Sequence, residues 1–127
     1  MNSAVIVKVE YRFAKDTDLS FSDLNIIPYS GRLSENVSPK KAGKLHQVKL
    51  RFNIDNVNPD KDALLNFISD IPIHIKAYDA NGRIHYIGDD EFQARLSFDK
   101  ALDGKAGSFN GYRCSIDYDT PYGAVVV

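Results

Sequence analysis

A chain of 127 residues has the length of one domain, and its 43% hydrophobic and 26% charged composition is that of a soluble globular protein with no membrane-length apolar run. Lys and Arg total 16 against 17 Asp and Glu, a net charge of -1 that excludes a general attraction to nucleic acid or anionic lipid while leaving room for a local basic patch. No nucleic-acid or membrane partner is expected on this ground.

Met1, Asn2 and Ser3 run directly into a strand pattern without a basic n-region or small-residue cleavage site, so cytoplasmic synthesis with no signal peptide is expected. Val5, Val7, Val9, Tyr11 and Phe13 alternate with Lys8, Glu10 and Arg12, which predicts a half-buried strand with those apolar residues on one face. From Ala14 to Lys44 the chain mixes turn-formers and charges with isolated apolar groups and reads as one long loop excursion at about 14–44, inside which Leu24 to Tyr29 is a possible short strand interrupted by Pro28. Within it, Ser38 to Lys44 is polar and basic without periodicity and reads as a solvated tip.

Val48, Leu50, Phe52 and Ile54 alternate with Lys49, Arg51, Asn53 and Asp55, predicting a second strand. Asn58, Pro59 and Asp60 form a helix start: an Asn cap, Pro at the first helical position and an acid at the positive end of the dipole. Leu64, Leu65, Phe67 and Ile68 give the predicted buried stripe of a helix of about three turns that ends near Asp70 and Pro72.

Ile71, Ile73, Ile75 and Ala77 mark the next strand face, and Asp79 to Gly82 the clearest turn. A two-residue Asn81-Gly82 turn would place Ile75 opposite Gly88. A three-residue loop with Gly82 in the left-handed conformation places Ile75 opposite Ile87 and Tyr78 opposite Ile84, and is favoured because it pairs apolar groups. Phe92, Ala94, Leu96 and Phe98 form another face, as do Tyr112, Cys114, Ile116 and Tyr118, with a glycine-containing loop from Asp99 to Asn110 between them. The expected architecture is a single domain over 1–127, mainly β: about six mostly antiparallel strands in a sandwich or partly closed barrel with one short α-helix.

Candidate chemistry is sparse. The three histidines, His46, His74 and His85, occur without a His-x-His or Cys-x-x-Cys pair, and the favoured hairpin register puts His74 and His85 on opposite faces, so no metal is expected. Aligning Asn56, Asn58 and Asp60 with a calcium loop puts Lys61 at the required Gly and Phe67 at the bidentate Glu, and the match fails. Asp89, Asp90 and Glu91 read as a solvated acidic corner. Cys114, alone and on an apolar face, reads as a small hydrophobe. No nucleophile elbow, phosphate loop, zinc-protease helix or dinucleotide glycine pattern occurs, so neither enzymatic activity nor a cofactor is expected. Single-stranded nucleic-acid binding would need outward aromatics interleaved with basic groups. Most aromatics here fall on apolar faces, while Tyr78 and Tyr86 remain candidate contacts.

In Asp79, Ala80, Asn81, Gly82, Arg83, Ile84, His85, Tyr86, Ile87, Gly88 and again in Asn110, Gly111, Tyr112, Arg113, Cys114, Ser115, Ile116, Asp117, the chain resembles small β-rich structural proteins of phages and prophages of gut Bacteroidetes, over roughly its C-terminal half. The resemblance implies a non-enzymatic virion or tail component, assembled in the host cytoplasm into a ring or tube through loops and sheet edges. Its implied partners are copies of itself and other structural proteins. Candidate contacts in the excursion are Tyr29, Lys40, Lys41 and Lys44. On the hairpin they are Tyr78 and Tyr86. At the apolar tail, which can add a strand to its own sheet or a neighbour's, they are Tyr122, Val125, Val126 and Val127. The alternative is a monomeric module that binds glycan or peptide through Tyr78, Tyr86 and the acidic corner.

Overall fold

The computed structural model describes residues 2–14, 20–40, 43–55, 57–69, 71–88, 94–101, 111–120 and 125–126. In chain order the elements are β1 (Asn2–Phe13), β2 (Ser22–Asp23), β3 (Gly31–Lys40), β4 (Gly43–Asp55), α1 (Pro59–Ser69), β5 (Ile73–Asp79), β6 (Ile84–Ile87), β7 (Arg95–Ala101), β8 (Gly111–Thr120) and β9 (Val125–Val126). Among the described residues every strand pairing is antiparallel. The chain is mainly β with one short helix. Its strands form a single sheet in the order β7-β8-β4-β3-β1-β5-β6-β9, with β2 paired to β1 off that path. Among the described residues the sheet does not close into a barrel, although one isolated bridge, in which the Ile73 N–H donates to the Ala94 carbonyl at 3.1 Å, joins β5 to the approach to β7.

The alternation along β4 and β8 sets their register. Val48, Leu50, Phe52 and Ile54 face Tyr118, Ile116, Cys114 and Tyr112 across the ladder, and all eight are buried. Slipping this pair by one residue would turn one strand's four apolar side chains to water, so the register has no near competitor. Ile73, Ile75 and Ala77 of β5 join the same core as Leu65 and Ile68 of α1. The hairpin between β5 and β6 adopts the three-residue loop, with Ile75 opposite Ile87, Tyr78 opposite Ile84 and Gly82 at φ +83°.

The helix begins where the cap and proline place it. The Lys61 N–H donates to Asn58 Oδ1 at 2.8 Å, a cap of about 1 kcal/mol. Of the four predicted buried residues only Leu65 and Ile68 are fully enclosed. Leu64 and Phe67 are 37% and 58% exposed, because the helix lays a narrow i, i+3 edge on the core rather than a full stripe. Phe67 retains an edge-on contact with Phe13, with ring centroids 5.4 Å apart.

Two sequence expectations are corrected. The first is the single apolar face of β1. Ile6 and Val9 are both fully buried while Val5 and Val7 are only half-buried, because the ladder to β5 shifts between Ile6 and Lys8. A bulge inserts one residue there and reverses the phase of the strand, so each half turns its own apolar residues inward. Gly31 opposes Ile6 across β1 and β3, and a β-carbon on it would lie 2.6 Å from Ile6 Cβ, so glycine permits this close approach.

The second correction concerns the 14–44 excursion, which contains β2, β3 and the first residues of β4. Glu10 and Tyr11 pair with Asp23 and Ser22, and the Leu24 N–H donates to the Val9 carbonyl at 3.0 Å. The chain then leaves β1. Left-handed backbone at Asn25 (φ 56°) and Tyr29 (φ 64°) ends the extended run, so Leu24 to Tyr29 is a detour rather than a strand, with Leu24 and Ile26 buried in the core. Ser30 anchors the detour: its Oγ donates to the Ile27 carbonyl at 2.6 Å and accepts the Asn53 N–H at 3.2 Å. β3 then pairs with β4 from Arg32–Arg51 to Lys40–Gly43, so Ser38 to Lys40 and Gly43 to Lys44 are ladder rather than loop.

Candidate functional site

Two surfaces stand out once the sheet is assembled. The first is the outward face of β1, β5 and β6. Lys8, Glu10 and Arg12 oppose Tyr78, Lys76 and His74 across β1 and β5, and Lys76 opposes Tyr86 across β5 and β6. Alternate residues of neighbouring strands share a face, so these side chains form one layer. Phe21, just before β2, completes it.

The Tyr78 hydroxyl donates to Glu10 Oε1 at 2.5 Å, and that carboxylate, with burial as the lesser cause, pushes the phenol up to about 12. Lys8 Nζ lies 3.8 Å from Glu10 Oε2 and 4.0 Å from Asp23 Oδ2, and 5.4 Å from the centre of the Tyr78 ring. Lys8 is half-exposed, so these ion pairs orient the side chain more than they stabilise the fold. Lys76 Nζ sits 4.4 Å from the Phe21 ring and 5.7 Å from the Tyr86 ring, and Arg12 Cζ sits 5.7 Å from Phe21. Beside this layer a recess of about 360 Å³ is lined by Val7, Lys8, Asp23, Asn25, Ile26 and Pro28.

The second surface is the far end of the hairpin formed by β3 and β4. Pairing of β3 with β1 stops at Glu35 and pairing of β4 with β8 stops at His46, so among the described residues 37–40 and 43–45 pair only with each other. This two-stranded arm extends beyond the rest of the sheet. It carries Val37, 49% exposed, and the His46 ring lies 3.3 Å from Glu35 at its base. Tyr29, 65% exposed, stands at the opposite end of β3, where its carbonyl accepts from Arg32.

Two further polar clusters among the described residues tie elements of the fold together. His85 Nε2 lies 2.8 Å from Asp79 Oδ2, while Asp79 Oδ1 accepts the N–H groups of Asn81 and Arg83, each at 2.9 Å. Burial raises the Asp79 carboxyl, but the hydrogen bonds from His85, Arg83 and Asn81 outweigh it and hold the group below its ordinary value. This arrangement clamps the β5–β6 turn. Under α1 the Tyr112 hydroxyl donates to Asp62, and Lys100 Nζ donates to the same carboxylate at 2.8 Å. The Lys100 and Tyr112 hydrogen bonds lower the Asp62 carboxyl. Together they tie the first helical turn to β7 and β8.

His46, His74 and His85 stand on three different strands, the last two on opposite faces of their hairpin. Among the described residues no three His, Cys, Asp or Glu side chains gather into a group that could hold a metal ion. Of the predicted contacts, Tyr78 and Tyr86 share the outward layer, whereas Tyr29 lies at the other end of β3 from the arm. Near the arm's tip Lys40 pairs with Gly43 and Lys44 with Pro39 in the backbone ladder. Val125 and Val126 pair with Tyr86 and His85, so the tail adds its strand to its own sheet. Lys41, Tyr122, Val127 and the acidic corner Asp89 to Glu91 lie outside the described residues.

Sequence reasoning missed Lys8, Arg12, Phe21 and Lys76 as parts of a shared surface. Each strand shows its outward charges, but nothing local reveals that β1 lies beside β5. The single described helix is neither long nor apolar enough to cross a membrane. Comparison with known proteins finds no matching family model, no similar curated protein and no similar solved structure.

Proposed function

We propose that the chain is a non-enzymatic structural protein, a phage or prophage virion or tail component as its resemblance implies, that assembles with copies of itself and other structural proteins into a ring or tube. The observation that carries this reading is the β3–β4 arm, which projects past its neighbours and exposes Val37, while Tyr29 is exposed at the other end of the same strand. From Gly31 to Val37 the strand spans about 20 Å. Distinct contact patches at the two ends of one element suit a head-to-tail interface, the kind that generates rings or open tubes. Among the described residues, β7 and β9 form the two edges of the sheet, which are further places for such contacts.

The test is the solution mass of the full chain by light scattering across a concentration series, alongside Val37→Glu and Tyr29→Ala. Both side chains are exposed, so the variants keep the fold and its circular dichroism. The expected result is a discrete multimer or concentration-dependent growth that either substitution reduces. A strict monomer at every concentration, or growth indifferent to both substitutions, would overturn the proposal.

A further inference from the structure

The net charge of -1 argues against a general attraction to nucleic acid, but it says nothing of how charge is distributed over one face. Single-stranded nucleic acid is held without sequence preference by aromatic rings on which bases stack, set among cations that take the phosphates. On the outward layer that pattern is assembled from three separate stretches of chain. Phe21, Tyr78 and Tyr86 supply the rings and Lys8, Arg12 and Lys76 the cations, with each cation within 4.4 to 5.7 Å of a ring centre. We propose that the outward face of β1, β5 and β6, with Phe21 at its margin, binds single-stranded nucleic acid.

Three features favour this occupant. The first is charge placement. Glu10 and Asp23 gather at Lys8, whereas among the described residues Arg12 and Lys76 have no carboxylate within ion-pair distance: Lys76 lies over Phe21, and Arg12 lies beside the same ring while donating to the Phe13 carbonyl at 3.3 Å. A cation resting on a half-buried ring with no carboxylate partner exchanges that contact for a phosphate. The positive end of the face is therefore the Phe21–Lys76–Tyr86 end, next to two of the three rings.

The second is size. Lys8 to Arg12 covers about 13 Å along β1, and β1 to β6 covers about 10 Å across two strand spacings. A sheet face of this extent is what stacks two or three bases in sheet-based readers of single strands. The third is economy of chemistry. An acidic peptide would use the cations and leave the rings idle, and a neutral sugar would use the rings and leave the cations idle. A single strand with unpaired bases engages both, whereas a duplex hides its base faces.

The test is fluorescence anisotropy of the full chain with a labelled oligothymidine of about 20 nucleotides, with the same strand annealed to oligoadenosine, and with labelled heparin as an acidic glycan. Tyr86→Leu and Phe21→Leu keep apolar bulk while removing the stacking surface, and Lys76→Gln removes one cation. The expected result is saturable, salt-sensitive binding of the single strand in preference to the duplex, weakened about 5- to 150-fold by either leucine substitution. Lys76→Gln should reduce the salt slope by about 0.7.

Absence of oligothymidine binding at low salt, equal binding of the duplex, binding of heparin alone, or affinity unchanged by the leucine substitutions would each overturn the inference. Circular dichroism of each variant separates loss of the face from loss of fold. The inference is independent of self-assembly: a strict monomer that binds the oligonucleotide overturns only the assembly proposal, and a multimer that does not bind it overturns only this one.

Discussion

Gly82 and Gly88 both have left-handed backbone, at φ +83° and +92°, but their surroundings differ, and the difference separates two costs of a side chain. At Gly82 an added β-carbon meets nothing within 4 Å. Gly82→Ala should therefore cost only the conformational penalty, about 1 to 2 kcal/mol. At Gly88 the same carbon would lie 2.8 Å from the Ile73 carbonyl oxygen and 3.4 Å from Ala94 Cβ. Ile73 cannot move away freely, since it is fully buried and its N–H holds the Ala94 carbonyl. Gly88→Ala should thus add an overpacking cost of about 1 to 3 kcal/mol to the same conformational penalty, for a total of about 2 to 5 kcal/mol. Urea unfolding followed by circular dichroism reads both. With a slope of about 2 kcal/mol/M, the midpoint should fall by about 0.7 M for Gly82→Ala and about 1.7 M for Gly88→Ala. Equal losses in the two variants would refute the reasoning, because they would mean that the Ile73–Ala94 bridge yields without cost.

Two more predictions concern groups held away from their ordinary titration. Because the folded-state value of Asp79 is lowered, its contribution to stability is present above the unfolded value of about 3.9 and is lost as pH falls through the folded value. Asp79→Asn should cost about 1 to 2 kcal/mol near neutrality and flatten the acid limb of the stability profile; parallel profiles for the two proteins would contradict this. Burial pushes the Cys114 thiol up to about 12, so a disulfide-exchange reagent should label it only as fast as the protein opens. Stoichiometric labelling in urea and none in the native state is the expected outcome, and rapid native labelling would show that the core does not enclose the thiol.

Much of this fold is legible in the chain itself because it rests on local rules. Period-two alternation in β4 and β8 names their buried faces. The Asn58-Pro59 start places the helix to the residue, and the pairing of apolar groups selects the β5–β6 register. Each is decided within about ten residues, where side-chain direction and turn chemistry act directly. β1 is the instructive exception. Val5 to Phe13 alternates without a break, yet a bulge at Val7 reverses its phase, because β1 changes partner from β3 to β2 along one edge while β5 follows the other. β3 escapes detection for a related reason: beyond Leu33 it has no core to face, so no apolar alternation is selected, and its ladder with β4 forms it instead.

The sequence by itself determined a single mainly β chain with one capped helix, a tight hairpin and the identity of most core residues, since burial of alternate side chains is a local choice. Only the tertiary structure decided which strands are neighbours. Strand order depends on contacts between residues such as Lys8 and Tyr78, seventy positions apart, and such pairings are settled by the packing of the whole sheet rather than by any stretch of it. The outward layer of Phe21, Tyr78, Tyr86, Lys8, Arg12 and Lys76 is a product of that order, which is why its members are unremarkable singly and form a surface only together.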